Sequence, residues 1–219
     1  MDARHINEKI YAGRGKAAQR IGYMYRVYRP TSAADPLGNY LRTLKAAFNA
    51  ADNSYARPNL YGKPVWFADV DGRMTCAGDY LVRECDSGRD DIYFIAAQQS
   101  LLPIVAIDCP RSIHIERQPC SGSSVGVGTY SGQAARTPLL GTAQTPWACS
   151  ILAGAKMQAS TGLPSDVREA SWSILLPPSV PVTIQAGDLV TDDLGKRYAI
   201  ESAELSDLGW RLMALEVHI

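Results

Sequence analysis

Hydrophobic and polar positions change their period along this chain, and the first period is helical. Asp2 is a suitable N-cap, and apolar residues then recur about every 3.6 positions. These residues are Ile6, Ile10, Ala17 and Ile21. Gly13 and Gly15 each cost about 1 kcal/mol relative to alanine. The pattern therefore predicts a helix with a weak middle, which needs a partner surface to order it. Because the apolar stripe must be buried, we expect residues 2–29 to dock on a neighbouring subunit or protein rather than on their own body.

The next two segments predict a strand and then a second, short helix. Residues 23–29 alternate in polarity and stop at Pro30, which is typical of a strand end. Asp35 and Pro36 fit an N-cap followed by the first helical position. Apolar side chains then continue at helical spacing: Leu37, Tyr40, Leu41, Leu44 and Phe48.

From Pro64 onward the period is two, which indicates β-strands. Short alternating runs lie between turn signals such as Asp71-Gly72. Many short strands between turns are typical of a small barrel or sandwich. The chain is therefore predicted to be mainly β with an N-terminal helical arm (α+β), carrying two small antiparallel β-barrel or sandwich modules in tandem.

The tandem prediction depends on an order of features that occurs twice. Gly78-Asp79 precedes a short strand, a strand with Tyr93 and a third strand, and Gly187-Asp188 precedes the same series with Tyr198. Two generic meanders would give this order by coincidence, and that alternative is open at this point. Related modules would place the two tyrosines on equivalent strands. The predicted divisions are 1–60 (helical arm and loop), 61–120 (first module), 121–145 (Gly/Ser-rich linker or loop) and 146–219 (second module).

Charge is balanced overall but is uneven along the chain. The 219 residues have a formal net charge of +0, yet residues 1–30 carry seven basic and two acidic residues. A basic arm on an acidic body predicts head-to-tail contact between unlike surfaces, or contact with nucleic acid, although a solvated helix face would have the same composition. The predicted inter-subunit contact residues are Ile6, Ile10, Arg14, Lys16, Arg20 and Ile21.

Composition narrows the class of protein. No run approaches the roughly 18 consecutive apolar residues of a membrane-spanning helix, so no membrane partner is expected. The N-terminus lacks an apolar signal core, so Sec-type export is not expected. Five cysteines without a C-x-x-C pair indicate reduced, mostly buried thiols: Cys76, Cys85, Cys109, Cys120 and Cys149.

The sequence contains no recognisable constellation for catalysis, for a cofactor or for a metal. The three histidines are far apart, and Ser123 and Ser131 lack a nucleophile elbow. Residues 126–132 are glycine-rich but have no βαβ unit around them. The acidic pairs 69/71, 90/91 and 192/193 stand at turn signals, where aspartate bonds its own backbone. We therefore predict a protein that is not an enzyme.

Two segments resemble structural proteins of tailed bacteriophages. Residues 184–200 resemble a signature of head–tail joining and head-closure proteins, in which a Gly-Asp turn, an acidic turn with glycine and a Tyr-x-Ile strand follow one another. Residues 78–104 resemble virion proteins of contractile-tailed phages, and residues 1–17 fit the same group. Residues 122–170 have no counterpart in it.

The resemblance implies an oligomeric ring in the virion neck (the collar), assembled in the host cytoplasm. Its partners would be further copies of itself, the portal or connector, the tail proteins and genomic DNA that passes through the lumen without sequence readout. An acidic lumen would keep DNA from adhering, because phosphate contacts dominate non-specific affinity.

Two alternatives stay open at this point. The same barrel would suit a tail-terminator or baseplate protein. A DNA-binding protein could instead use the basic N-terminal arm, whose cations are interleaved with tyrosines that could stack on bases. These are Tyr11, Tyr23, Tyr25 and Tyr28.

Overall fold

A computed structural model describes residues 2–51, 62–85, 90–118, 136–154 and 171–217. Within these ranges one helix precedes thirteen strands. The elements are α1 (Ala3–Ile21), β1 (Tyr23–Tyr28), β2 (Tyr40–Asn49), β3 (Val65–Asp69), β4 (Tyr80–Arg83), β5 (Asp91–Ala97), β6 (Ile104–Asp108), β7 (Arg111–Arg117), β8 (Thr137–Leu140), β9 (Trp147–Ala153), β10 (Ser171–Leu176), β11 (Leu189–Asp192), β12 (Arg197–Ser206) and β13 (Gly209–Glu216).

The first six strands form a closed antiparallel barrel. Their order is β1-β2-β3-β6-β5-β4, and β4 pairs back with β1. Alternate side chains point inward, as the two-residue period requires. The buried cluster of this first barrel includes Tyr25, Val27, Leu44, Ala46, Leu81, Ile95, Ile104 and Ala106.

A second closed barrel follows along the chain. Its order is β7-β9-β10-β13-β12-β11, and the pairing of β11 with β7 closes it. Strand β8 is an addition that pairs with the C-terminal half of β7. The predicted fold class, mainly β with an N-terminal helix and two tandem barrel modules, is confirmed.

The two barrels share one register as well as one strand order. Leu81 pairs with Tyr93 in the first barrel, and Val190 pairs with Tyr198 in the second. Every other strand pairing of the first barrel matches the equivalent pairing of the second, residue for residue. The register also shifts at the same place, between Ile95 and Ala97 in β5 and between Ile200 and Ser202 in β12. The two tyrosines therefore occupy equivalent strands. Coincidence between generic meanders would not reproduce the register of every pairing, so the modules are related.

The predicted second helix is wrong, because its residues form strand β2. Leu44 and Ala46 are buried inside the barrel, two positions apart, while Lys45 between them points outward. Strand β2 pairs with β1 along its length and with β3 at its end. Pairing with distant strands outweighs the local helical spacing, since propensity is a weak prior.

The strand pairing also moves the predicted module boundaries. Strands β1 and β2, assigned to an arm within residues 1–60, belong to the first barrel. Strand β7, assigned to the module at 61–120, is the first strand of the second barrel. In the predicted linker at 121–145, β8 is part of the sheet, while residues 119–135 lie outside the described residues. Each barrel begins earlier than the repeat because its first strand precedes the Gly-Asp turn.

The barrels are joined by a common apolar core. Tyr80 lies on the outer face of β4, its ring centroid 6.2 Å from that of Trp147 in the second barrel. The Tyr80 hydroxyl donates a 2.7 Å hydrogen bond to the backbone oxygen of Ala148. The Trp147 indole donates to the backbone oxygen of Ala33, in the loop between β1 and β2, at 2.8 Å. One buried cluster thus contains the core of the second barrel and the outer face of the first, and the polar atoms of Tyr80 and Trp147 within it are paired.

The buried thiols provide a test of this shared core. Cys109 and Cys149 are fully enclosed in it, whereas Cys76 is exposed. Burial raises the pKa of the Cys109 and Cys149 thiols, and only the thiolate is nucleophilic. We expect iodoacetamide to label Cys76 in the folded protein and the two core cysteines only in urea, as measured by peptide mass mapping. Equal labelling rates for Cys76 and Cys109 in native buffer would contradict the shared core.

Candidate interaction surface

The repeated Gly-Asp motif is a tight corner immediately before the fourth strand of each barrel. Gly78 and Gly187 both have a φ of 91°, which is in the region that favours glycine. The Gly78 amide donates to the oxygen of Ile95, and the Gly187 amide donates to the oxygen of Ile200. The corner therefore bonds the chain to the fifth strand before the fourth strand begins.

The aspartate of each corner is buried and ion-paired. Asp79 accepts from Arg29 Nε at 2.7 Å and from its Nη2 at 2.9 Å. Asp188 accepts from Arg117 Nε at 2.7 Å and from its Nη2 at 2.8 Å. Each carboxylate also accepts a backbone amide three residues upstream. This bidentate geometry holds the end of the first strand against the start of the fourth.

Sequence reasoning missed the two arginines. In the sequence, each arginine is marked by a proline shortly after it. Arg29 directly precedes Pro30, and Arg117 stands two residues before Pro119. The signal was hidden because each arginine lies at the end of the first strand of its barrel, and the predicted boundaries assigned that strand to another unit.

Each of the three acidic pairs makes a contact within the chain through at least one member, Asp91 by accepting from Arg83 Nε at 3.0 Å. Asp69 accepts from Arg14 Nη1 at 3.0 Å, and the buried Asp192 accepts from the Tyr198 hydroxyl at 2.9 Å. A bidentate hydrogen bond from Arg73 lowers the pKa of Asp71. The described ranges contain no group of three His, Cys, Asp or Glu residues that could hold a metal ion. Ser123, the glycine-rich residues 126–132 and the histidine His218 lie outside those ranges.

Helix α1 lies against the first barrel. Tyr11 and Ala18 are buried, and Arg14 reaches Asp69 on β3. A Cβ on Gly15 would lie 2.9 Å from the Cβ of Asp71, so glycine at this position allows the close approach. The expectation that residues 2–29 leave their own body is therefore wrong. The barrel itself is the partner surface that the weak helix requires.

The apolar stripe expected to drive burial lies on the flank of the helix. Ile6 is 37% exposed and Ile21 is 49% exposed, while Ile10 and Ala17 are half-buried. The stripe is rotated away from the contact face, because Tyr11 and the Arg14–Asp69 ion pair fix which side meets the barrel. We call these four residues the apolar flank.

A row of cations covers the side of the helix that is opposite its contact with the barrel. Lys9, Lys16 and Arg20 follow one another at spacings of seven and four residues, so they share one face. All three are exposed, and none forms an ion pair within the part of the chain that the structure describes. We call them the basic ridge. Of the predicted contact residues, Arg14 is ion-paired with its own barrel and Ile10 packs against that barrel's core.

A second unoccupied surface lies on the other barrel, on the long hairpin of β12 and β13. Leu205 is 56% exposed and Leu208 is 53% exposed. Glu201, Glu204 and Asp207 are also exposed, and none of the three is ion-paired among the described residues. We call residues 201–208 the acidic hairpin. Sequence reasoning missed it, although three acids and two leucines around one turn were visible there.

This hairpin also presents an open strand edge. Strand β12 pairs with β11 only over Arg197–Ala199. From residue 202 to 206, β13 is its only strand partner in the described ranges. An unpaired edge exposes backbone donors and acceptors to another chain.

No family model, curated protein or solved structure matches this chain. Among the described residues, no helix is both long enough and apolar enough to cross a membrane.

The corner ion pairs lead to a stability prediction. Replacing Arg29 with Met leaves the Asp79 carboxylate buried without its counter-charge, which should lower the free energy of unfolding by about 3 kcal/mol. Arg73→Met removes a more exposed pair with Asp71 and should cost less than about 1 kcal/mol. Urea unfolding followed by tryptophan fluorescence compares the two variants. Similar small losses would show that the corner does not need its arginine.

Proposed function

We propose that this chain is a structural protein of a tailed-phage virion that forms a ring in the neck. As a collar or head–tail connector, the ring joins the portal to the tail and lets genomic DNA pass. Neighbouring copies, the portal or connector and the tail proteins are its partners, and it enters the virion after assembly in the host cytoplasm.

The observation that carries the proposal is the Gly-Asp corner. The residues that resemble head–tail joining proteins are those that close the second barrel, through Asp188 and Arg117. The first barrel repeats the same corner with Asp79 and Arg29. The resemblance therefore involves residues that determine the barrel architecture.

The distribution of surfaces also supports a ring. The basic ridge lies on the helix of the first barrel, and the acidic hairpin lies on the second barrel. Unlike surfaces on one rigid subunit favour heterologous contacts, in which one face meets a different face of the next copy. Such contacts close into rings when the rotation between copies allows it.

A DNA-binding protein is the second candidate function. The basic ridge favours it, and the exposed Tyr23 follows the end of the helix. The expected row of stacking tyrosines is reduced, however, because Tyr11 and Tyr25 are buried in the first barrel. A tail-terminator or baseplate role would use the same barrels in another part of the virion.

Electron microscopy of the recombinant protein tests the ring. We expect negative-stain images of annular particles of a single diameter, with a lumen wide enough for duplex DNA, and light scattering should give one oligomer mass. The physical reason is that heterologous contacts saturate when the ring closes. A protein that is monomeric at every concentration would contradict the proposal.

A gel shift separates the ring from the DNA-binding candidate. A neck ring should not retard duplex DNA at about 0.15 M salt, because passing DNA must not adhere. A shift that is abolished in Lys9→Ala/Lys16→Ala/Arg20→Ala would favour DNA binding. The matched control is Arg4→Ala/Arg42→Ala/Arg197→Ala, which removes the same charge from exposed positions off the ridge.

A further inference from the structure

The basic ridge and the apolar flank leave helix α1 with an unsatisfied outer surface. Its three cations have no counter-charge among the described residues, and beside them Ile6 and Ile21 remain substantially exposed. Phosphate groups would satisfy the cations, but they would leave the isoleucines in water. A partner that satisfies both features must combine carboxylates with apolar side chains.

The acidic hairpin has this combination. Its three carboxylates lie within the same eight residues as Leu205 and Leu208, and Arg211, opposite Glu204, is the only basic residue between positions 200 and 211. The hairpin belongs to the second barrel and the helix packs on the first, and the charged residues of both surfaces are exposed.

The two surfaces also match in length. A helix rises about 1.5 Å per residue, so the ridge from Lys9 to Arg20 extends about 16 Å. A strand rises about 3.3 Å per residue, so the hairpin from Glu201 to Asp207 extends about 20 Å. The helix can therefore lie along the hairpin over the full length of both surfaces.

We infer that the basic ridge and apolar flank of helix α1 in one copy bind the acidic hairpin of a second copy. The contact is heterologous, so each copy contributes its helix to one neighbour and its hairpin to the other. This inference rests on the proposed ring and names the surfaces that build it.

Charge reversal provides the test. In the helix variant, Lys9→Glu/Lys16→Glu/Arg20→Glu makes both surfaces acidic. In the hairpin variant, Glu201→Lys/Glu204→Lys/Asp207→Lys makes both surfaces basic. Each variant alone should raise the dissociation constant for self-association at least about tenfold, because like charges face each other. Analytical ultracentrifugation measures association, and circular dichroism verifies folding.

Two combinations should restore association. A mixture of the two variants pairs an acidic helix with a basic hairpin and a basic helix with an acidic hairpin. A single chain carrying all six reversals exchanges the charges of both surfaces. The control Arg4→Glu/Arg42→Glu/Arg197→Glu changes net charge by as much as the helix variant does, and it should associate like the wild type.

The outcomes distinguish this inference from the proposed function. If the wild type assembles and either reversed variant assembles equally well, the helix–hairpin contact is wrong and the ring stands. If both variants lose association and neither combination restores it, the surfaces do not meet each other. If the helix variant loses only binding to duplex DNA, the ridge serves nucleic acid. A wild type that never self-associates overturns both the contact and the ring.

Discussion

A buried carboxylate at each barrel corner is the constraint on which the rest of the structure depends. After the third strand, the chain must cross the barrel to place its fourth strand beside the first. Asp79 and Asp188 stand where that return is completed, and both are buried. A lone buried charge is costly, so the return is stable only when an arginine from the end of the first strand arrives in the right geometry. Closure of the barrel and pairing of the charge therefore depend on each other.

Away from the corner, equivalent positions of the two barrels carry different pairs of side chains. The register places Tyr23 and Arg83 of the first barrel where the second barrel has Arg111 and Asp192. In the first barrel the Arg83 guanidinium lies over the Tyr23 ring, 4.2 Å from its centroid. In the second, Arg111 forms an ion pair with Asp192 at 2.6 Å. The backbone requires only an attractive pair between the two strands there, so the two copies could diverge in sequence while their registers stayed identical.

Local signals in the sequence were sufficient for some elements and insufficient for others. The strand-and-turn pattern after Pro64 and the Asp2 cap are local, and both predictions were confirmed. Strand β2 and the two corner arginines depend on partners far along the chain, which local periodicity does not encode. The stripe on helix α1 was read correctly as one face, but which face meets the barrel is decided by Arg14 and its distant partner Asp69. Half of the candidate surface, the helix, was thus foreseen, and the acidic hairpin was not.

The differences between the two related barrels indicate where interaction surfaces arise. In the first barrel, the outer faces of strands β4–β6 pack against the second barrel of the same chain. Those faces are therefore not available to other proteins. The fifth strand of the first barrel ends at Ala97, whereas its counterpart in the second barrel continues to Ser206. That extension is not needed to close the barrel, and it carries exposed leucines and unpaired acids that contribute little to the core. Helix α1 is likewise an addition to the barrel plan, and it carries the complementary charge. Of the additions to the repeated plan, strand β8 is paired with β7, whereas helix α1 and the β12 extension carry charges that are unpaired among the described residues, which is why an interaction between copies accounts for both.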